Sequence, residues 1–309
     1  MLKSNKIPVT IITGFLGSGK TTFINHLLRN YPETQFALVE NEFGETAIDT
    51  KLIKGVDASH MFELKQGCIC CTITDEFELV LQELAERFPD IEHLLIETTG
   101  IADPGSVVQP FFRDENLKEI YSYNGTVCLV DALNFEDHPE KEITIKQLVI
   151  ADLVLINKSE GFNMDEQSVF QKEIEKINPF ATIRFVQFAE LIDFRLENIQ
   201  ITSRTEFDFL RRSLMHTQIQ TKTLTFYKYL NKDDFLRWLT YTIDIYKNQI
   251  YRTKGIICFQ NEPFEYFVQG VGGNFELFEG DLILGQPKSE IVFIGRLVDI
   301  DLDFQPELP

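Results

Sequence analysis

The chain has 309 residues, of which 44% are hydrophobic and 25% are charged, and its formal net charge is -19. This composition is typical of a globular protein that is long enough to form two domains. The negative charge argues against binding to nucleic acid or to an anionic membrane surface. The sequence contains neither a signal peptide nor a run of ~20 apolar residues, so we expect a cytoplasmic protein without membrane contact.

The first part of the chain alternates apolar strand patterns with helical patterns. Short apolar runs rich in β-branched residues have the composition of buried strands, and helical stretches separate them. The strand patterns cover residues 7–13, 35–40, 93–97, 125–131, 152–157 and 182–186. This alternation predicts an α/β domain over residues 1–205, with a doubly wound, mostly parallel sheet.

The pattern changes after a polar segment at 206–221, which we interpret as a linker. Strand patterns then occur at 221–230, 255–260, 264–271 and 290–295. Between the first two of them, apolar residues mark one face of a helix, namely Phe235, Trp238, Leu239, Ile243 and Tyr246. Strands grouped around one helix predict a smaller C-terminal α+β domain with an antiparallel sheet over residues 222–309.

The segment "GFLGSGKT" matches the pattern G-x-x-x-x-G-K-[ST], directly after a strand pattern and before a helical pattern. Glycines let backbone N–H groups surround phosphate oxygens, and the N-terminus of the helix adds a favourable dipole. Lys20 is expected to reach the β- and γ-phosphates, and the Thr21 hydroxyl is expected to bind Mg²⁺. We therefore predict a nucleotide phosphate site formed by Gly14, Gly17, Ser18, Gly19, Lys20, Thr21 and Thr22.

The stretch "LLIETTG" places Glu97 at the end of a predicted strand. An acid at this position can hold Mg²⁺ directly or through water, so Glu97 is assigned to catalysis together with Lys20 and Thr21. Gly100 is expected to sense the γ-phosphate through its backbone N–H. Because no glutamine follows Gly100, no residue that orients the attacking water is evident, and we expect slow intrinsic hydrolysis.

The sequence "NKSE" at the end of a predicted strand indicates the base of the nucleotide. A carboxylate accepts two hydrogen bonds from the N1–H and N2–H₂ edge of guanine, so Glu160 favours guanine over adenine. Asn157 is expected to brace the site, and the stem of Lys158 is expected to cover the ring. GTPases carry N-K-x-D here, and Glu160 lengthens the acidic arm by one methylene, which leaves the degree of guanine selectivity open.

Three of the five cysteines occur together as Cys68, Cys70 and Cys71 in "GCICC". An odd cysteine count with a local cluster indicates a reducing compartment and use in metal binding or redox chemistry. Thiolates favour Zn²⁺ and similar ions, and three ligands leave a fourth position open. The acidic residues of "VENEFGE" are candidates for further ligands, namely Glu40, Glu42 and Glu45.

The remaining cysteines and the histidines receive no functional assignment. Cys128 and Cys258 each lie within an apolar strand pattern and are interpreted as core residues. The five histidines are scattered along the chain, and none is proposed as a ligand.

Taken together, these motifs resemble the CobW-type metal-associated P-loop GTPases, relatives of the nickel-insertion GTPases of urease and hydrogenase maturation. The resemblance covers nearly the whole chain and rests on "TGFLGSGKTT", "ENEFGE", "GCICC", "IETTGIADP", "VCLVDA", "NKSE", "YRTKGI" and "VFIG". "ENEFGE" and "IADPG" are similar to the YjiA-like branch. The sequence departs from the family pattern at Glu160, where aspartate is usual. It also lacks the histidine-rich segment of some relatives, and this second difference argues against a storage role.

The resemblance implies GTP hydrolysis to GDP, coupled to the binding or delivery of Zn²⁺, or Co²⁺ in some members, to a client metalloprotein. By position, Lys20, Thr21 and Glu97 would serve the phosphates and Mg²⁺, and the C-x-C-C segment would hold the transferred metal. Arg252 and Lys254 match a basic motif of the C-terminal domain. They are interpreted either as part of an interdomain or partner surface or as a solvated strand start.

The positions of the phosphate site and the cysteine cluster in the sequence suggest that nucleotide binding and metal binding are coupled. In GTPases, segments between the phosphate loop and the Mg²⁺-binding acid become ordered when the γ-phosphate is bound and are released after hydrolysis. Both "ENEFGE" and "GCICC" lie in that interval. We hypothesise that the nucleotide state tunes metal affinity. The alternatives are a P-loop ATPase or small-molecule kinase, a nucleotide-gated metal or redox regulator without delivery, and a structural zinc site. The client, the physiological metal and the oligomeric state are left open.

Overall fold

The computed structural model describes residues 6–40, 61–63, 74–135, 141–191, 195–196, 199, 219–298 and 300–304. The chain divides into two compact units. The first comprises Met1–Lys172 and Ala181–Gln200, and the second comprises Glu173–Phe180 and Ile201–Pro309. Most of the predicted linker lies outside the described residues, so the domain boundaries at 205 and 222 stay predictions.

The first unit is built on a seven-stranded sheet in the described residues, with the order β3-β2-β4-β1-β5-β6-β7. Every neighbouring pair in this sheet is parallel. The strands are β1 (Ile7–Gly14), β2 (Phe36–Glu40), β3 (Met61–Glu63), β4 (His93–Glu97), β5 (Tyr121–Asp131), β6 (Leu153–Asn157) and β7 (Thr182–Phe185). The predicted doubly wound α/β class is confirmed.

Helices connect these strands, as a parallel sheet requires. They are α1 (Lys20–Asn30), α2 (Thr74–Arg87), α3 (Gly105–Arg113), α4 (Glu115–Ile120), α5 (Lys141–Ile150) and α6 (Met164–Ile177). The central strand is buried, and the side chains of Val9, Ile11 and Ile12 are each 0% exposed. Burial on both faces explains why the strands read as continuous apolar runs instead of alternating patterns. No helix in the described part of the chain has the length and apolar character needed to cross a lipid bilayer.

The carboxyl ends of the strands meet at one edge of the sheet, because all of them run in the same direction. Here β3, β2 and β4 end in register, with Glu63 opposite Glu40 and Glu40 opposite Glu97. Neighbouring strands lie about 4.8 Å apart, so the backbones of these three residues form a short row across the edge. Strand β3 was not predicted from the sequence, because three residues are too few to establish a periodicity.

The second unit contains an antiparallel sheet with the strand order β11-β10-β9-β12-β8. The elements are β8 (Gln220–Phe226), α7 (Lys232–Ile245), β9 (Ile250–Cys258), β10 (Phe264–Val271), β11 (Asn274–Leu282) and β12 (Ser289–Gly295). The smaller α+β unit is therefore confirmed. Strand β11 was missed, although the Gly-Gly pair before it is a hairpin signal: Val271 pairs with Asn274 across the turn.

Helix α7 covers one face of this sheet. The Asn231 side chain caps its N-terminus by accepting a hydrogen bond from the Asp234 N–H at 3.1 Å. Phe235, Leu239 and Ile243 on this helix belong to one buried apolar cluster with residues of the sheet. The predicted apolar helix face is thus the one that packs on the strands.

Arg252 and Lys254 lie on β9 and are buried, with exposures of 1% and 3%. Their interpretation as a solvated strand start is wrong, because neighbouring strands on both sides and the segment before β7 cover them. The Arg252 Nη2 lies 3.5 Å from the Gln269 Oε1, and the Lys254 ammonium lies 6.0 Å from the centre of the Phe180 ring. The alternative interpretation, that they belong to an interdomain or partner surface, stays a prediction.

The buried His93 at the start of β4 predicts a loss of stability in mild acid. Its Nε2 lies 2.8 Å from the Thr10 Oγ1, and burial lowers its pKa from 6.5 to about 4. As the pH falls below 6.5, the histidine therefore becomes protonated in the unfolded chain before it does so in the folded protein. The contribution of His93 to the free energy of unfolding is fully present above that pH, and about 1.4 kcal/mol of it is lost per pH unit as the pH falls towards 4.

We expect His93→Gln to remove this part of the dependence, measured as the change in the free energy of urea unfolding between pH 7 and pH 5. The control is His26→Gln, which replaces a partly exposed histidine on α1 and should keep the wild-type difference. Identical pH dependence in the wild type and in His93→Gln would contradict the assignment.

Candidate nucleotide site

The loop between β1 and α1 has positive φ angles at three glycines, and two of them, Gly14 and Gly19, also leave no space for a side chain. Gly14 and Gly19 have φ angles of 132° and 109°, which side-chain-bearing residues rarely adopt. A Cβ on Gly14 would lie 2.2 Å from the Leu129 carbonyl oxygen, and one on Gly19 would lie 2.6 Å from the Asn157 Nδ2. The two glycines therefore let the loop pack tightly against β5 and β6.

The Lys20 side chain folds back over this loop. It is only 7% exposed, and its ammonium donates to the carbonyl oxygens of Gly14 at 3.0 Å and Phe15 at 3.2 Å. A cation fixed at the mouth of a glycine-rich loop is suited to anionic phosphate oxygens. Nearby, burial raises the pKa of the Cys128 thiol to about 12, against the opposing effect of the Lys20 charge. Cys128 is therefore a neutral core residue, as predicted.

Thr21 and Glu97 come together although 76 residues separate them in the chain. The Thr21 hydroxyl donates to the Glu97 Oε1 at 3.3 Å. A hydroxyl and a carboxylate are hard oxygen ligands of the kind that Mg²⁺ prefers, so the donor set fits this ion. Ser18 within the loop is fully buried, whereas Thr22 is exposed on the first turn of α1.

Gly100 packs directly on the phosphate loop. A Cβ at Gly100 would lie 2.4 Å from the Leu16 backbone nitrogen, so only glycine fits at this contact. Gln147 on α5 holds the same segment, since its Nε2 donates to the carbonyl oxygens of Gly100 at 3.1 Å and Ala102 at 3.3 Å. The sequence did not identify Gln147, because a glutamine within a helical pattern carries no positional signal.

Asn157 ties the phosphate loop to the segment after β7. Its Nδ2 donates to the Ser18 carbonyl oxygen at 2.9 Å, and its Oδ1 accepts from the Ala189 N–H at 3.0 Å. The side chain is 4% exposed, so both hydrogen bonds are shielded from water. The bracing role predicted for Asn157 thus has a specific geometric form.

Lys158 and Glu160 differ in how they are held. Lys158 has a φ of 60°, and its ammonium lies 2.8 Å from the Asp131 Oδ2. Burial raises the Asp131 pKa, but hydrogen bonds from Lys158, Asn134 and the Leu133 backbone outweigh it and leave the pKa below its usual value. Glu160 is exposed. Asp131 was missed as a site residue, although its position at a strand end was a signal.

The predicted metal ligands fall mostly outside the described residues. This applies to Cys68, Cys70, Cys71, Glu42 and Glu45, and only the backbone of Glu40 is described, at the end of β2. Among the described residues, no group of three or more histidine, cysteine, aspartate or glutamate side chains is arranged to hold a metal ion.

Comparison with known protein families gives two matches. The nucleotide-binding domain of the CobW/HypB/UreG family matches residues 8–185, and the cobalamin synthesis protein CobW C-terminal domain matches residues 219–305. The sequence is 30% identical to the zinc chaperone YjiA of Escherichia coli over 94% of each chain. It is 28% identical to the zinc-regulated GTPase metalloprotein activator 1 of Schizosaccharomyces pombe, covering 94% of this chain and 82% of that protein.

A solved structure agrees with these matches. The crystal structure of Zn(II)-bound YjiA GTPase from E. coli is similar to this chain with a TM-score of 0.68 and 25% sequence identity, over 96% of each chain. The similarity therefore extends over both units and is not confined to the phosphate loop.

The two hydrogen bonds of Asn157 predict a large stability loss on truncation. Asn157→Ala leaves the buried Ser18 carbonyl and the buried Ala189 N–H without this partner, and we expect a cost of about 3 kcal/mol in the free energy of unfolding. Urea denaturation measures it. The control is Asn134→Ala, which removes an exposed asparagine and should cost about 0.5 kcal/mol. Equal costs for the two variants would show that the bridge contributes nothing.

Proposed function

Because the chain belongs to the CobW/HypB/UreG family of nucleotide-binding proteins, we propose that this GTPase is a zinc metallochaperone. It binds Zn²⁺, or a similar transition metal, through the thiolates of Cys68, Cys70 and Cys71. The nucleotide state sets the metal affinity, and hydrolysis of GTP to GDP releases the ion to a client metalloprotein. The relatives named zinc chaperones and the Zn(II)-bound neighbour support zinc as the cargo.

The observation that carries this proposal is the order of strands at the carboxyl edge of the first sheet. Residue 41 begins the "NEFGE" segment directly after Glu40, and residue 64 begins the cysteine segment directly after Glu63. Both strand ends are in register with Glu97, the acid that contacts Thr21. The chain segments that carry the metal ligands therefore start within one or two strand spacings, about 5 to 10 Å, of the Mg²⁺ acid.

The phosphate end of the site follows from Lys20, Thr21 and Glu97. The Lys20 ammonium moves from the loop carbonyls to the phosphate oxygens, a short displacement because both lie at the same loop. Thr21 and Glu97 would hold Mg²⁺, which when bound neutralises charge that develops on the phosphates. Gly100 packs against the loop, and its backbone N–H would contact the γ-phosphate.

Guanine selectivity would come from the segment after β6. Asn157 fixes the backbone, and the Lys158 stem lies over the base while its ammonium stays paired with Asp131 at 2.8 Å. The exposed Glu160 is free to extend towards the N1–H and N2–H₂ donors of guanine. Its extra methylene adds a rotatable bond that must be fixed on binding, so the affinity gain per hydrogen bond is smaller than for aspartate.

The remaining cysteines are buried, so we give them no part in the proposed zinc site. Cys128 and Cys258 are 2% and 0% exposed and lie in the strands β5 and β9 of different units. The proposed cluster would then have three thiolates, and a fourth position would be open to a glutamate or to a ligand of the client. A site with an open position suits exchange of the ion, because an incoming ligand can bind before one leaves.

Coupling between nucleotide and metal predicts different zinc affinities in the two nucleotide states. We expect the complex with a non-hydrolysable GTP analogue to bind Zn²⁺ about tenfold more tightly than the GDP complex, within the usual range of coupling between two sites. Competition titration with a chromophoric zinc chelator measures both constants. The combined Cys68→Ser, Cys70→Ser and Cys71→Ser variant should lose this binding, while Cys258→Ala should retain it. Equal affinities in both nucleotide states would refute coupling.

The Thr21–Glu97 contact predicts a Mg²⁺-specific defect in a threonine variant. Thr21→Ala removes a hydroxyl ligand, and the Mg²⁺ concentration for half-maximal GTP hydrolysis should rise by about tenfold or more. Thr21→Ser retains the hydroxyl and should stay close to the wild type. A phosphate-release assay over a Mg²⁺ titration measures the shift. An unchanged Mg²⁺ dependence in Thr21→Ala would remove this residue from the proposed ion site.

A further inference from the structure

A two-residue turn after β7 has an unusual sequence for its backbone. Gln187 and Glu190 form an antiparallel bridge, and the Glu190 N–H donates to the Gln187 carbonyl oxygen at 2.9 Å. The two central residues, Phe188 and Ala189, have φ angles of 51° and 57°. Turns with positive φ at both central positions strongly favour Asn-Gly and related pairs, so Phe-Ala pays a conformational penalty here.

The surrounding structure holds this turn from two sides. Ala189 is 0% exposed, and its N–H donates to the Asn157 Oδ1 at 3.0 Å. On the other side, the Phe188 carbonyl oxygen lies 3.1 Å from the His26 Nε2 on α1. The backbone is therefore fixed, yet the Phe188 side chain is 75% exposed. A turn that presents an aromatic ring to solvent at a conformational cost needs an explanation beyond folding.

The location of the turn provides that explanation. Strands β6 and β7 are parallel neighbours, with Ile156 opposite Phe185, so the segments that follow them leave the sheet at the same edge. The segment after β6 carries the residues assigned to the base, and Asn157 is bonded to both the phosphate loop and the turn. The exposed Phe188 is thus part of a turn whose backbone is bonded to Asn157, next to the segment assigned to the base.

From this placement we infer that Phe188 is a base-binding residue, whose ring stacks on the face of the purine. The inference rests on the proposed nucleotide site and assigns a further residue to it. Single exposed apolar side chains are common on protein surfaces and need no function. Phe188 differs because its backbone is fixed in a disfavoured conformation by two contacts at the edge of the site.

The chemistry divides the recognition of the base between two residues. Stacking acts on the π-face that every base possesses, so Phe188 contributes affinity without selecting guanine. The carboxylate of Glu160 acts on the hydrogen-bonding edge and supplies selectivity. Loss of Phe188 should therefore weaken binding of GDP and inosine diphosphate equally, whereas loss of the Glu160 charge should weaken GDP more, because inosine lacks the N2 amino group.

Isothermal titration of nucleotide-free protein with GDP, inosine diphosphate and inorganic pyrophosphate tests the inference. We expect Phe188→Ala to weaken GDP and inosine diphosphate by a similar factor of about ten, and to leave pyrophosphate binding unchanged. Phe188→Trp keeps an aromatic face and should retain the GDP affinity of the wild type. Tyr227→Ala, which removes an aromatic ring that is 78% exposed in the second unit, is the matched control and should behave as wild type.

The outcomes separate this inference from the proposed function. GDP affinity that is unchanged in Phe188→Ala overturns the stacking role while the nucleotide site stands. If the affinity for pyrophosphate falls by the same factor as the affinity for GDP, the stacking role is also overturned, because the turn would then act only through the phosphate loop. Wild-type protein that binds neither GDP nor pyrophosphate overturns the nucleotide site, and the inference with it.

Discussion

The amide of Asn157 is the interaction on which the geometry of the nucleotide site depends. It presents one donor and one acceptor in opposite directions, and the Ser18 carbonyl and the Ala189 N–H require that combination. Aspartate lacks the donor and leucine lacks both groups, so neither could hold the two segments. Because Asn157 is the last residue of a fully buried strand, its position is set by the sheet. The phosphate loop and the turn at 187–190 are thereby both anchored to the end of β6.

The parallel sheet has an electrostatic consequence at the same edge. Three glutamates end neighbouring strands in register, Glu63, Glu40 and Glu97, in a chain whose net charge is -19. Such an edge is unfavourable for the negative charge of a nucleotide phosphate unless cations are present. Lys20 supplies one of them, and a divalent ion at Thr21 and Glu97 would supply another. If the proposed metal sites lie at this edge, nucleotide binding there would depend on bound cations, which would be a physical reason for one edge to serve both.

Motif spacing in the sequence was sufficient for the residues that act through local geometry. The positions of Gly14, Lys20 and Asn157 follow from strand–loop–helix patterns, because the chemistry is carried within a few residues. The Lys158–Asp131 pair depends instead on the pairing of β5 with β6, where Asp131 lies opposite Asn157, and pairing between distant strands has no local signal. The turn at Phe188 was missed for a different reason: it lacks the glycine or asparagine that normally identifies a turn with positive φ angles.

The contacts around Glu97 indicate where a signal between nucleotide and metal would travel. The strand end itself is held by the ladder and by the Thr98 hydroxyl, which donates to the Thr13 Oγ1 at 2.8 Å, so β4 is a poor candidate for movement. The segment after it lies outside the strand ladder and is held by two bonds from Gln147 to carbonyl oxygens and by the Lys146–Asp103 ion pair. Gly100 in this segment packs on the phosphate loop, close to where the γ-phosphate would bind. Because Glu40 lies opposite Glu97 on the neighbouring strand, a rearrangement after β4 would occur next to the point where the proposed metal-binding segment begins, and it would not require distortion of the sheet.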